Sequence, residues 1–145
     1  MKRILLYIML LFTTVATSAH SGGSYEHSDI FKSMQADDKA AILMVHFGTT
    51  HDDTRELTIE AFNNQVKQAF PSIEVREAYS SRIVIKRLSV RGIYKVNPLE
   101  ALKKLHADGY THILIQSSTV IDGVEMESLY KNVEEVSRLF KDVRI

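Results

Sequence analysis

The sequence predicts an α/β fold: a parallel sheet with helices on both faces. Three observations carry this. Ala40 to Phe47 is a continuous apolar run interrupted only by His46, as expected of a strand buried on both faces. Strand-like and helix-like segments then alternate along the chain, which implies crossover connections and a parallel sheet. Last, Met126, Leu129, Val133, Val136 and Phe140 are spaced 3, 4, 3, 4, the period of a helix with one buried face.

Ahead of the fold, Lys2 and Arg3 precede an apolar stretch from Ile4 to Phe12. Thr13 to Ala19 then grades into small residues, with Thr17 and Ala19 suited to the −3 and −1 positions of a cleavage site. Residues 1–19 therefore read as a secretory signal peptide, and the expected location is periplasmic or otherwise exported. A stable membrane anchor is not expected, because a spanning helix needs about 20 apolar residues. No Cys follows the apolar run, which excludes a lipoprotein anchor there. Residues 20–38, rich in Ser, Gly, Asp and His, are expected to form a flexible leader, and residues 39–145 the folded domain.

Within that domain each element has its own signal. After the first strand, Gly48-Thr49-Thr50 breaks the run. Asp53 and Glu56 resemble a capping box, and Leu57, Ala61, Phe62, Val66, Ala69 and Phe70 would form the buried stripe of the helix they open. Pro71-Ser72 ends it. Ile73 to Tyr79 is a less apolar strand and so belongs nearer an edge. Ile83 to Leu88 is helical, ending near Gly92. Asn97-Pro98-Leu99-Glu100 combines a capping Asn, Pro in the first turn and Glu at the third position. Leu99, Leu102 and Leu105 face inward from that helix, and Gly109 closes it. His112 to Gln116 is the third strand. Phe140-Lys-Asp-Val-Arg-Ile repeats the helix-to-strand transition at Phe70-Pro-Ser-Ile-Glu-Val, so a fourth strand is expected at the end of the chain, in what reads as an interrupted protein.

Composition narrows the function. Formal net charge is zero with both signs interspersed, which argues against a nucleic-acid surface and for a small ligand. Cysteine is absent, so packing alone must hold the domain in an oxidising compartment. In open parallel sheets ligands bind at the carboxyl ends of the strands. Three polar loops qualify: Phe47 to Asp53, Tyr79 to Arg82, and Gln116 to Glu125. The first offers Gly48, the Thr49 and Thr50 hydroxyls and free helix-start amides, which suits a carboxylate or phosphate. It lacks both the G-x-G-x-x-G spacing and the P-loop Lys, and ordinary turn chemistry accounts for it equally well. Glu125 and Glu127 flank Met126 of the buried stripe, so one of them can turn toward the strand-end cleft, or a Glu there can merely complement the dipole of the helix it starts. The six histidines form no metal-ligand spacing; His46 and His51 alone flank the cleft, and His46 reads first as a satisfied core residue.

Several ordered motifs bring a family into view. Ala41 to Thr50 followed by Asp53-Thr54-Arg55 resembles the opening strand and loop of CbiK-type sirohydrochlorin cobaltochelatases. Tyr79 to Leu88, Asn97 to Leu102, Gly109-Tyr110, and Gln116-Ser117 through Ile121 to Glu127 continue the resemblance in order. It implies a chelatase-like (flavodoxin-like) half-domain of an enzyme inserting Co²⁺ into sirohydrochlorin, in anaerobic cobalamin biosynthesis. The cation is then substrate, no cofactor is needed, and no nucleotide is hydrolysed. The resemblance assigns Glu125 to catalysis and metal handling, and Phe47, Gly48, Thr49, Thr50 and Arg82 to the macrocycle and its carboxylates. The resemblance implies that the family's principal metal-binding and proton-accepting histidines lie in a second half, beyond residue 145, so none is carried over to this chain. One departure is Thr119, which stands where some members have a His. Sirohydrochlorin and a divalent metal are the expected partners, and self-association into a homo-oligomer is compatible with the sequence. The alternative is an exported tetrapyrrole- or metal-binding module without chelatase activity. A flavodoxin-like nucleotide binder fits the architecture but lacks a phosphate fingerprint.

Overall fold

A computed structural model describes residues 30–145. The expected signal peptide and the first part of the leader lie outside the described residues. Four strands, β1 (Ala40–His46), β2 (Glu74–Tyr79), β3 (His112–Ser117) and β4 (Asp142–Arg144), form one all-parallel sheet in the order β2-β1-β3-β4. The apolar run of β1 takes a central place, paired on both sides and buried along nearly its whole length. The more polar β2 lies at an edge, as its composition predicts, and β4 lies at the other.

Alternation along β1 divides the core. Ala41, Leu43 and Val45 meet Leu102 and Leu105 of α4 (Pro98–Ala107) and Met126, Leu129 and Val136 of α5 (Val124–Val136). Ile113 and Ile115 of β3 complete this larger cluster. On the other side Tyr79 packs with Val84 and Leu88 of α3 (Arg82–Val90), with Ile59 and Ile93 against them. Full burial of each such side chain contributes about 1.5–3 kcal/mol, so the α4/α5 face dominates. Among the described residues no helix is long and apolar enough to cross a membrane.

The start of α4 forms as its sequence dictates. Asn97 Oδ1 accepts from the Glu100 amide at 2.9 Å, and Glu100 returns a carboxylate to the Asn97 amide. Gly109 takes φ +83° just beyond the helix end, the conformation that favours Gly. The stripe of α5 is buried as spaced, and Phe140 joins the core after a short 3₁₀ turn at Ser137–Leu139.

The first helix departs from expectation. It opens as α1 (Asp52–Thr54), passes through a π-helical segment, Arg55–Glu60, and continues as α2 (Ala61–Ala69). Asp53 and Glu56 make no capping box: Asp53 Oδ1 accepts from the amide of its neighbour Thr54 at 2.7 Å, and the N-cap is His51 with no side-chain bond. The expected stripe is not buried. Leu57 is 77% exposed, and Phe62, Ala69 and Phe70 are exposed too. Ile59 and Asn63 turn inward instead. Each π turn holds more residues than an α turn, so the segment shifts the phase and a 3.6-residue spacing no longer tracks one face.

The folded body also takes in residues assigned above to the leader. Ile30 is buried at the start of a 3₁₀ turn, Ile30–Ser33. The Asp38 carboxylate is 1% exposed, 2.7 Å from Lys141 Nζ beside β4.

Candidate functional site

The order β2-β1-β3-β4 places a topological switch point between β1 and β3, because the chain leaves β1 in one direction for β2 and returns on the other side for β3. Ligands of open α/β sheets bind outside the carboxyl ends of the strands at such a point. The loops after β1 and β3 flank it, and the loop after β2 lies beside them.

The first loop is held from below and from the side. Gly48 has φ +94°, and a Cβ there would stand 2.3 Å from Cδ2 of Tyr79, so the loop lies directly on that ring. The Ser80 and Ser81 amides donate to the His46 and Phe47 carbonyls at 2.8 and 3.2 Å. Arg91 donates to the Thr50 carbonyl at 2.6 Å and also pairs with Asp52. Arg55 bridges Asp52 at 2.7 Å and Glu60 at 3.2 Å. These hydrogen bonds, that of Arg55 first and then that of Arg91, hold the Asp52 carboxyl below its ordinary range. The Thr49 hydroxyl accepts from the His51 amide at 3.2 Å, a bond within the loop's own turn. Phe47 is exposed above it.

Two expected site residues come together elsewhere on the same edge. The N-termini of α3, α4 and α5 surround a cavity of about 80 Å³ that Arg82, Asn97, Glu125, Ser128 and Asn132 line. Arg82 and Glu125 line it from helices far apart in sequence, and among the described residues neither side chain has a hydrogen-bond or ion-pair partner. The N-cap of α5 is Gly123, with no side-chain bond, so the backbone amides of that first turn lack a side-chain cap. Phe47, Gly48, Thr49 and Thr50 do not line this cavity. Larger hollows of about 320 and 550 Å³ lie along the outer edge of β2 and at the amino ends of the strands. Position selects the smaller one, because the ligand edge of a parallel sheet is the carboxyl edge.

A second arrangement crosses the sheet. His46, 2% exposed, ends β1. Its Nδ1 is 3.0 Å from Ser118 Oγ and its Nε2 is 2.9 Å from Asn63 Oδ1. Asn63 Nδ2 donates to Glu77 Oε2 at 2.8 Å, and Lys95 Nζ donates to Glu77 Oε1 at 2.5 Å. His46 is thus the satisfied core residue that the sequence predicts, but its partners were not foreseen. Asn63 sits in a helix of confused periodicity, and Glu77 lies on an edge strand where a carboxylate draws no notice. Beside this chain the Tyr79 phenol is fully buried; its desolvation, followed by the charge of Glu77, pushes its pKa upward. Among the described residues no three His, Asp or Glu side chains converge as a metal site.

Comparison with known proteins completes the description. A model of the cobalt chelatase (CbiK) family matches residues 40–145. The chain is 38% identical over 103 residues to a sirohydrochlorin cobaltochelatase of Salmonella typhimurium, covering 70% of this chain and 39% of that protein. It is 34% identical over 100 residues to the sirohydrochlorin cobaltochelatase CbiKC of Nitratidesulfovibrio vulgaris, covering 69% of this chain and 35% of the relative. The match therefore spans well under half the length of these curated relatives.

Proposed function

The chain belongs to the cobalt chelatase (CbiK) family, and from that premise we propose that the protein is a sirohydrochlorin cobaltochelatase, with this domain forming one wall of the tetrapyrrole cleft. The observation that carries the proposal is the pair Arg82 and Glu125 lining one cavity at the carboxyl edge, their side chains without a partner among the described residues. Sirohydrochlorin is a flat macrocycle with a rim of carboxylates. A free guanidinium offers a planar fork to such a carboxylate. A free carboxylate beside the macrocycle attracts the incoming Co²⁺ and favours loss of the pyrrole N–H protons that the cation displaces. On the same edge of the sheet Phe47, Ile83, Val120, Ile121 and Val124 are exposed on the three loops and the helices they start, apolar surface suited to a macrocycle face. Phe47, Gly48, Thr49 and Thr50 would then act through the loop's shape, with only Phe47 presenting a large surface.

The test is anaerobic incubation of the protein at its native length with sirohydrochlorin and Co²⁺, followed by visible absorbance. Conversion to the cobalt product above the protein-free rate is expected. A rate no higher than that blank would sink the proposal. Export is proposed as well, from the layout of residues 1–19. Protein recovered from the native host should then begin at His20, and an intact Met1 terminus would count against export.

A further inference from the structure

β1 ends on His46 and β3 hands over to Ser118, so their contact sits in the crevice at the switch point. The direction of its hydrogen bonds is fixed from the far end. Glu77 accepts from both Lys95 and the Asn63 Nδ2 group. Asn63 therefore turns its oxygen to the imidazole, and His46 Nε2 must carry a hydrogen. In the neutral ring Nδ1 is then bare, and the Ser118 hydroxyl donates to it. The rings of Phe62 and Tyr79 stand edge-on to the imidazole at 6.3 and 6.5 Å. The ring is shielded from solvent, and the exposed Ser118 links its Nδ1 to the crevice.

We propose that Ser118 and His46 form a proton-accepting station at the switch point, on the chelatase function argued above. A macrocycle N–H hydrogen-bonded to Ser118 Oγ passes its proton to that oxygen while the Ser118 hydroxyl proton passes to His46 Nδ1. The N–H bond breaks, its electron pair stays on nitrogen, and that pair is donated to the incoming Co²⁺. Ser118 ends as a hydroxyl and His46 as an imidazolium, whose proton returns through Ser118 to water after product leaves. The station takes one of the two protons that a divalent cation displaces. Both states keep every hydrogen bond: Nδ1–H then donates to Ser118 Oγ, and Nε2–H still donates to Asn63. Only the hydroxyl rotates. Asn63 and Glu77 are positioning residues, which hold the ring and its tautomer from behind.

The experiment measures Co²⁺ insertion into sirohydrochlorin by the protein at native length. Ser118→Ala, on an exposed loop, should lower kcat about 100-fold, the range of a lost general base, with KM within about twofold. Ser118→Thr keeps a hydroxyl and should restore most of the rate, which a merely structural loop contact would not require. His46→Gln can donate to Asn63 but cannot take up a proton; it should match the Ser118→Ala loss, and the double variant should be no slower, because the pair acts as a unit. Nitrogen NMR of the wild-type imidazole should find Nε2 protonated and Nδ1 bare. The proposal is overturned by Ser118→Ala at wild-type kcat, by Ser118→Thr as slow as Ser118→Ala, or by a proton on Nδ1. Absence of insertion by the wild-type protein would instead defeat the chelatase assignment on which the step rests.

Discussion

Gly48 occupies a position that no other residue fits. Its φ of +94° is strained for any L side chain, and its missing Cβ leaves room for the Tyr79 ring. Gly48→Ala must move either the loop or that fully buried ring, at a cost of about 2–5 kcal/mol from backbone strain and overpacking together. A urea titration of the variant should show the midpoint fall with an unchanged slope. At the other end of the sheet Asp38 supplies a pH dependence. Hydrogen bonds from Lys141 first and then from the Gln35 amide lower its carboxyl to about 2, from an ordinary 3.8. A depressed folded-state pKa means that this stabilisation is complete above the ordinary value and is lost as pH falls through about 2. Thermal melts between pH 2 and 5 should lose stability on acidification in the wild type, and Asp38→Asn should flatten that part of the curve. An unchanged slope in the variant would mean that other carboxylates set the acid limb. Neither role was legible in the sequence. A Gly after a strand announces a turn, but the ring beneath it comes from another strand, and Asp38 meets a Lys at the opposite end of the domain.

Elements were legible where their signals are local. The capping box of α4 is closed by residues three apart, so Asn97 and Glu100 define it before any tertiary contact forms; such a cap is worth about 1 kcal/mol. The spacing from Met126 to Val136 survived for a similar reason, an uninterrupted α-helix laid on the sheet, while Phe140 reaches the core beyond it, after the 3₁₀ turn. The first helix shows how the same reasoning fails. Its apolar residues have helical spacing, yet the π-helical segment Arg55–Glu60 intervenes and rotates Leu57 into solvent. The two assignments differ in a measurable way. Leu57→Glu should change stability by less than about 0.5 kcal/mol at an exposed site. Loss of about 2–5 kcal/mol, as for a core leucine, would restore the uninterrupted stripe. The chemical denaturation midpoint decides between them.

At the scale of the whole molecule, alternating strands and helices gave the sheet, and the sheet gave the edge on which to look. That edge gathers Arg82 and Glu125 into one cavity, two residues whose roles come from the family resemblance and not from their loops alone. It did not bring the first loop into the same cavity, and it gave no hint of the His46 chain, whose bonds span 17 and 72 residues and depend on how α2 is turned. The pair at the cavity separates its functional role from a structural one. As a dipole partner at the start of α5, Glu125 is worth about 0.3–1 kcal/mol, so Glu125→Ala should fold and melt almost as the wild type does. In the protein at native length the same change should slow cobalt insertion at least about tenfold or alter the preference among divalent cations, as expected of a lost charge beside the metal's path. Glu125→Gln keeps shape without charge and should behave like the alanine variant. Arg82→Ala should instead weaken sirohydrochlorin binding about tenfold or more while leaving kcat largely intact, since a charged hydrogen bond to a peripheral carboxylate contributes about 1.5–3 kcal/mol to ground and transition states alike. Glu125→Ala with the wild-type rate and metal preference would leave that carboxylate as a partner of the helix dipole and nothing more.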